Sequence, residues 1–364
     1  MSQMKKIKRT TLGIGIVIVI LIALFAIFRS LQNSPQVALK SDTSNVPCVT
    51  PKDTAPIQLS HMSLGMTKEF YNDYNKLFTE KWKCQTGQTV TINQNFNVSG
   101  VIMRDMLKGK LSPDILTLAN PAEMDKVAQG TGTVSTAWRD AFPYESSPFY
   151  SAVVFLVRKN NPKQIKDWED LVKPGIVLAA SDPKLCGGGR WVYTAALGFA
   201  MRSSDALSDQ SKSYMTKFYN NFPVLYDNQA LAGDAFYAEN SNVDVLLTYE
   251  KEALLGKGLR DDYEIVNPSR TVQLDFPVAI VNKFADRDGV TDIAKAYIKG
   301  LYDPDAQSLA ATYFLRPKTP ASQDLLKRFP NLSLFTRKDV FGSDPSIENA
   351  HLGDGGLFDS LKKQ

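Results

Sequence analysis

The stretch Phe149–Val157, FYSAVVFLV, constrains this chain more than any other. It carries no charge and is rich in aromatic and β-branched side chains. A strand without polar alternation has no face to offer water. It must be buried on both sides, as in a parallel or mixed sheet covered by helices. The surrounding pattern fits such a sheet. Ile57–Ser60, Thr89–Ile92, Asp114–Leu118, Ile176–Ala180, Val243–Thr248, Tyr263–Val266 and Pro277–Val281 read as further strands. Helices are predicted at Thr67–Lys83, Ser99–Leu107, Pro121–Val127, Asp167–Val172, Arg190–Met201, Ser211–Asn221, Val290–Tyr302 and Pro304–Tyr313. In the first of these, Phe70, Tyr71, Tyr74, Leu77, Phe78 and Trp82 recur at helical spacing and read as core. Alternating strands and helices give α/β layers, and ligands of such sheets sit beyond the carboxyl ends of the strands.

At 364 residues the chain is long enough for about two domains. The first 29 residues contain Lys5, Lys6, Lys8, Arg9 and Arg29 and no acid. The remainder holds 37 Lys and Arg against 38 Asp and Glu, so the basic excess belongs to the N-terminus. A nucleic-acid binder spreads its cations over a working face, which argues against that class. Residues 12–28 are uncharged and apolar, between the usual length of a signal-peptide core and that of a spanning helix. Residues 1–29 therefore read as a signal peptide or an uncleaved anchor in the inner membrane, with the basic end cytoplasmic. Residues 30–55, with Pro35, Pro47 and Pro51, read as a polar leader. Export places Cys48 and Cys84 in an oxidising space, where they can pair or remain two thiols. Three Cys and two His make no metal cluster, and no cofactor motif occurs.

Two strand–turn–helix junctions carry possible chemistry: TINQNFNVSG, in which Ser99-Gly100 opens a helix, and KLCGGGRW, in which Gly187-Gly188-Gly189 precede one. Glycine permits close backbone approach. The first N–H groups of a helix lack internal partners and sit at the positive end of its dipole, so each junction can hold an anion without a cationic side chain. Cys186 at a helix start could also serve as a nucleophile, but it would need a base. The only histidines, His61 and His351, have no sequence relation to it. No catalytic residue is assigned.

SSPFYSAVVFLVRKNNPKQIKDWEDLVKPG (146–175) and DPKLCGGGRWVYTAALGFA (182–200) closely resemble the sulfate-binding proteins of bacterial ABC transporters. The likeness extends through residues 67–92, DVLLTYEKEALL (244–255), FPVAIVNK (276–283) and LFTRKDVFG (334–342). It implies a type II periplasmic binding protein: two α/β lobes, a ligand cleft between them, and hinge strands. On that analogy residues 56–148 plus 249–310 form lobe 1 and residues 149–248 form lobe 2. The chain would cross near Phe149–Val157 and return near Val243–Glu250. Residues 311–364 would pack across both lobes.

The resemblance also implies a dehydrated sulfate held by backbone N–H groups, a serine hydroxyl and an indole N–H, without a salt bridge. Carried over residue by residue, the family's Gly-Ser-Gly turn becomes Val98-Ser99-Gly100, and its Ser-Gly-Gly turn becomes Cys186-Gly187-Gly188. Its tryptophan becomes Tyr249, its Tyr-Asp-Pro becomes Leu64-Gly65-Met66, and its Gly-Ala-Arg becomes Asn228-Gln229-Ala230. The expected ligand residues are Ser99, Gly100, Cys186, Gly187, Gly188, Tyr249, Gln229 and Gly65. The expected role is a monomeric, non-enzymatic receptor passing sulfate, thiosulfate or a related oxyanion to the membrane permease of an ABC importer. The alternative is a membrane-tethered sensor or interaction protein with altered ligand specificity.

Overall fold

The computed structural model describes residues 48–52, 55–202, 207–342 and 345–361. The apolar segment 12–28 and the expectation of a signal or anchor lie outside them. Among the described residues no helix is long and apolar enough to cross a membrane.

Two α/β lobes share the chain. The first opens with strand β1 (Ile57–Leu64) and helix α1 (Lys68–Thr86), then β2 (Val90–Asn97), α2 (Ser99–Leu107), β3 (Ile115–Thr117) and α3 (Pro121–Thr131). The second begins with β4 (Phe149–Arg158), β5 (Leu178–Ala179), α4 (Gly187–Ala200), α5 (Asp209–Asn220), α6 (Gln229–Tyr237), β6 (Val245–Tyr249) and α7 (Glu250–Lys257). Strands β7 (Tyr263–Val266), β8 (Thr271–Asp275) and β9 (Val278–Ile280) follow, then α8 (Thr291–Gly300), α9 (Pro304–Thr312), β10 (Arg316–Pro317) and β11 (Leu334–Phe335).

The first sheet has the order β2-β1-β3-β9. Its β1 runs parallel to β2 and β3, and β9 runs antiparallel to β3. The second sheet, β11-β8-β4-β6-β5, is built around β4, which also pairs with β7 and β10. As its composition demands, β4 is buried from Ser151 to Val157. It is antiparallel to every neighbour, and the parallel pairs of this sheet are β5–β6 and β8–β11.

The expected crossing points shift. Strand β6 does not return to the first sheet; it feeds α7 and stays paired with β4. Strands β7 and β8, assigned with residues 249–310 to lobe 1, also pair with β4. The return comes at Phe276, whose N–H donates to the Phe149 carbonyl (3.4 Å) just before β9 joins β3. Phe149 and Phe276 both belong to the first lobe's core. The reason is backbone pairing: β4 is buried and ten residues long, so both of its edges need hydrogen-bond partners, and β6 pairs only with Val153–Val157.

The aromatic face of α1 is core, with Phe70, Tyr71, Tyr74 and Phe78 buried against the first sheet. Cys48 is disulfide-bonded to Cys84 near the end of α1. The C-terminal segment touches both sides. Lys318 and Thr319 donate backbone N–H groups to Gln307 on α9 (2.7 and 3.0 Å). Phe335, Phe341, Phe358 and Leu361 fill the core of the second lobe.

His61 on β1 is 1 % exposed. Its Nε2 pairs with the Thr117 hydroxyl (2.8 Å) and its Nδ1 with the Tyr297 hydroxyl (3.3 Å). Burial lowers its pKa to about 3, against an ordinary 6.5. Between those values the unfolded chain binds a proton that the folded chain refuses, so this residue's contribution to stability is lost as pH falls below about 6.5. On going from about pH 7 to about pH 5, His61→Asn should lose about 2 kcal/mol less stability than the parent chain. Urea denaturation at the two pH values measures it, and equal losses in both proteins would refute a buried neutral imidazole.

Candidate functional site

A cavity of about 710 Å³ is walled by both lobes. The first lobe contributes Leu64, Gly65, Met66, Asn97, Val98, Ser99 and Ala119; the second contributes Cys186, Gly187, Gly188, Asn228, Gln229 and Tyr249 among others. Four helices begin at this wall: α2 at Ser99, α4 at Gly187, α6 at Gln229 and α7 at Glu250. Gly65 lies in the short 3-10 turn (Gly65–Thr67) that leads into α1. Each helix start offers N–H groups without intrahelical partners and the positive end of a dipole.

The glycines at Gly187–Gly189 are not a turn preceding a helix, as the sequence suggests. They are the first turn of α4, with Cys186 as N-cap. Their smallness is spent on contact. A Cβ on Gly189 would meet the Ser181 carbonyl oxygen at 2.3 Å, and one on Gly187 would meet the Ala119 Cβ at 2.9 Å. One on Gly188 would lie 3.0–3.2 Å from the Ser181 hydroxyl, the Gln229 Oε1 and the Tyr249 hydroxyl. Gly100 is absent from the cavity wall. A Cβ there would sit 2.4 Å from the Leu185 carbonyl oxygen, so this glycine lets the two junctions meet backbone to backbone. Trp191 on α4 adds a bond between the lobes, its indole N–H donating to the Ala119 carbonyl (2.6 Å).

The side chains are less free than their types suggest. The Ser99 hydroxyl accepts the Ala119 N–H (2.9 Å) and donates to the Glu123 carboxyl (2.5 Å), leaving the Ser99 backbone as its contribution to the cavity. Gln229 accepts from Ser181 (3.2 Å) and donates to the Leu247 carbonyl (3.0 Å). Cys186 is a buried free thiol. The recorded partners of His61 are Thr117 and Tyr297, and that of His351 is Tyr193, so neither histidine stands as a base beside Cys186. Burial, together with the neighbouring Cys186 and Glu123, holds the Tyr249 phenol well above its ordinary pKa, so it stays an O–H donor.

The pattern of the family described as bacterial extracellular solute-binding protein matches residues 61–316. The sulfate-binding protein of Escherichia coli is 37% identical over 311 residues, covering 85% of this chain and 94% of its own. The chain belongs to this family. The thiosulfate-binding protein of Pseudomonas aeruginosa is 34% identical over 306 residues, covering 83% of this chain and 91% of its own. Among solved structures, the sulfate-binding protein SubI from Mycobacterium tuberculosis superposes with a TM-score of 0.66 at 23% identity, covering 78% of this chain and 96% of that one. The fold is the two-lobed type II architecture of periplasmic binding proteins, and membership places the chain outside the cytoplasm. These relatives are named as binding proteins, not enzymes.

Three residues of this solute-binding protein escaped sequence reasoning. Glu123, 1 % exposed, lies beside Ser99 and within 3.4 Å of where a Gly187 Cβ would stand. In the sequence it reads only as an acid in the first turn of a helix capped by Asn120. Trp191 reads as an ordinary core aromatic. Lys251 lines the cavity with its side chain 2 % exposed, and its Nζ lies 3.3 Å from Glu252. A buried cation in the wall departs from a site expected to work without counter-charge. Its only sequence signal is its place at a strand-to-helix junction, two residues after Tyr249.

Burial, reinforced by Glu348, raises the pKa of Glu123 against the opposing pull of Arg190 and the Ser99 hydroxyl. The folded chain thus holds a proton that the unfolded chain releases, and that stabilisation is lost as pH rises through the folded value. Glu123→Gln should therefore melt a few degrees above the parent near pH 8, with the gap closing as pH falls below the ordinary value of 4.5. A melting-temperature difference independent of pH would show the carboxyl to be unperturbed.

Proposed function

We propose that this chain is the extracytoplasmic receptor of an ABC importer for sulfate or a close relative such as thiosulfate. The observation that carries the reading is the gathering of four helix starts, from both lobes, on one cavity. Such an arrangement supplies several N–H donors and dipole ends to one anion, in a cleft that excludes water and strengthens each interaction. The names of the sulfate- and thiosulfate-binding relatives support the choice of anion.

In this reading the backbones of Ser99, Gly187 and Gly188 donate to the anion, joined by the Cys186 thiol and the Tyr249 hydroxyl. Gln229 orients the α6 start, Gly65 lines the far wall, and Gly100 sets the approach of the lobes. Lys251 contributes charge. The lobes hinge where Phe149 and Phe276 carry the chain between sheets, and the permease reads the closed form. The receptor acts as a monomer, and residues 12–28 tether it to the inner membrane.

Calorimetric titration of the full chain with sulfate, thiosulfate, molybdate and phosphate tests this. Sulfate or thiosulfate should bind, and no heat with any of the four, from a folded protein, overturns the reading. Tyr249→Phe should weaken sulfate roughly 10- to 100-fold, since a hydrogen bond to a charged group is worth about 1.5–3 kcal/mol. Cys186→Ser exchanges a weak donor for a strong one and should tighten binding by at least about threefold. An unchanged affinity in both variants would place the anion elsewhere.

A further inference from the structure

A tetrahedral oxyanion displaces only a few waters, at roughly 30 Å³ each. The cavity of about 710 Å³ is far larger and falls in the range, roughly 300–1,000 Å³, that encloses a drug-sized organic ligand. The excess has a defined place. Helices α6 and α7 both start beside Gly188, where Gln229 and Tyr249 meet, and both lie over one face of the β4–β6 pair. Their far ends also approach: the Tyr237 hydroxyl lies 3.9 Å from where a Gly256 Cβ would stand. The groove between them therefore leads away from the helix starts for the length of α6, nine residues at about 1.5 Å each.

The groove is mainly apolar, although Asp234, Lys251, Glu252 and Arg260 also reach the cavity wall. Its floor is the cross-strand pair Leu156–Leu246, and its sides are Gly233 and Tyr237 on α6 and Leu255 and Gly256 on α7. Gly233 leaves its side open, whereas Gly256 makes room for the Tyr263 hydroxyl, 2.6 Å from where its Cβ would stand. A Cβ on Gly233 would meet nothing nearer than the Tyr237 ring, at 3.7 Å. Every one of these residues belongs to the second lobe, so the groove is built without the first. The lobes already touch at Gly100–Leu185 and Trp191–Ala119.

We propose that this site takes an organic sulfur oxyanion, a sulfonate or a sulfate monoester, with its head on the helix starts and its apolar tail between α6 and α7. The inference rests on the oxyanion-receptor reading above and specifies its ligand class. A sulfonate head presents three acceptors and no donor, matching a wall of N–H and O–H groups. The tail exchanges water for Leu156, Leu246 and Leu255.

The test is calorimetric titration of the full chain with sulfate and with methane-, butane- and hexanesulfonate, and with phenyl sulfate as the ester. Each methylene buried should tighten binding by up to roughly fourfold, so hexanesulfonate should bind at least about tenfold tighter than methanesulfonate. Gly233→Leu fills the groove and should reduce that gain to about twofold while leaving sulfate within about twofold of the parent. Leu255→Gln, which keeps the backbone and changes only the tail wall, should reduce it in the same sense. If sulfate binds and affinity is flat or falls with chain length, the inference is overturned and the sulfate reading stands. A gain that survives both substitutions overturns it too, because the tail then lies elsewhere. Binding of hexanesulfonate without binding of sulfate supports the inference and removes inorganic sulfate as ligand. Binding of no anion at all overturns both readings.

Discussion

The carbonyl of Leu185 comes so near Gly100 that a Cβ there would lie 2.4 Å from its oxygen. That approach of two backbones, one from each lobe, sets the geometry of the site. It brings the start of α2 against the start of α4, and the Trp191–Ala119 hydrogen bond holds them together. Dipole ends and unpaired N–H groups act only over the first turn of a helix, so they reinforce one another only when helix starts share a small volume. Any side chain at Gly100 or Gly189 would push backbones apart and dilute the combined field. The polar character of the cavity is thus a consequence of glycine placement more than of charged side chains.

Charge is nevertheless present, and it is arranged to link the site to the end of the chain. Glu123 takes the Ser99 hydroxyl and feels Arg190 on α4. Arg190 lies 3.5 Å from Glu348, which also receives Arg337 at 2.5 Å. The C-terminal residues are thereby tied to the first turn of α4 through buried ions, whose removal one at a time would leave an uncompensated charge. On the other side of the cavity, Arg316 grips the fully buried Glu250 at the start of α7 with two hydrogen bonds, 2.5 and 2.7 Å. Two helix starts are therefore held in place by partners well over a hundred and about sixty residues away in sequence.

Much of the scaffold was legible beforehand. The apolar run Phe149–Val157 lies within β4, Ser99–Leu107 is a helix with those bounds, and the aromatic face of α1 is core. Periodicity carried these, because burial on one or both faces leaves a pattern in the chain. Helices α6 and α7 and strand β8 were missed. Both helices are short and weakly amphipathic, and β8 alternates around a buried Thr271 that pairs with the Val153 carbonyl. The crossing was placed at β6 and occurs at Phe276, since the choice between continuing in one sheet and changing sheets depends on which strand edges are free. At the site, the two junctions pointed to Ser99, Gly187 and Gly188, and the family resemblance added Cys186, Gln229, Tyr249 and Gly65 as expected ligand residues; the structure places all of these on the cavity wall. Gly100 does not; it serves the approach of the lobes.

By itself the sequence determined the alternation of strands and helices, the doubly buried central strand, and the family to which the chain belongs. These are local or cumulative properties, and solvent exclusion writes them along the chain. Only the tertiary structure decided that the Ser99 hydroxyl is already spent on Glu123, that Lys251 is buried in the wall, and that a mainly apolar groove runs on from the helix starts. Hydrogen-bond partners and enclosed volumes depend on which distant segments meet, and nothing in the spacing of one segment records what its neighbour in space will be.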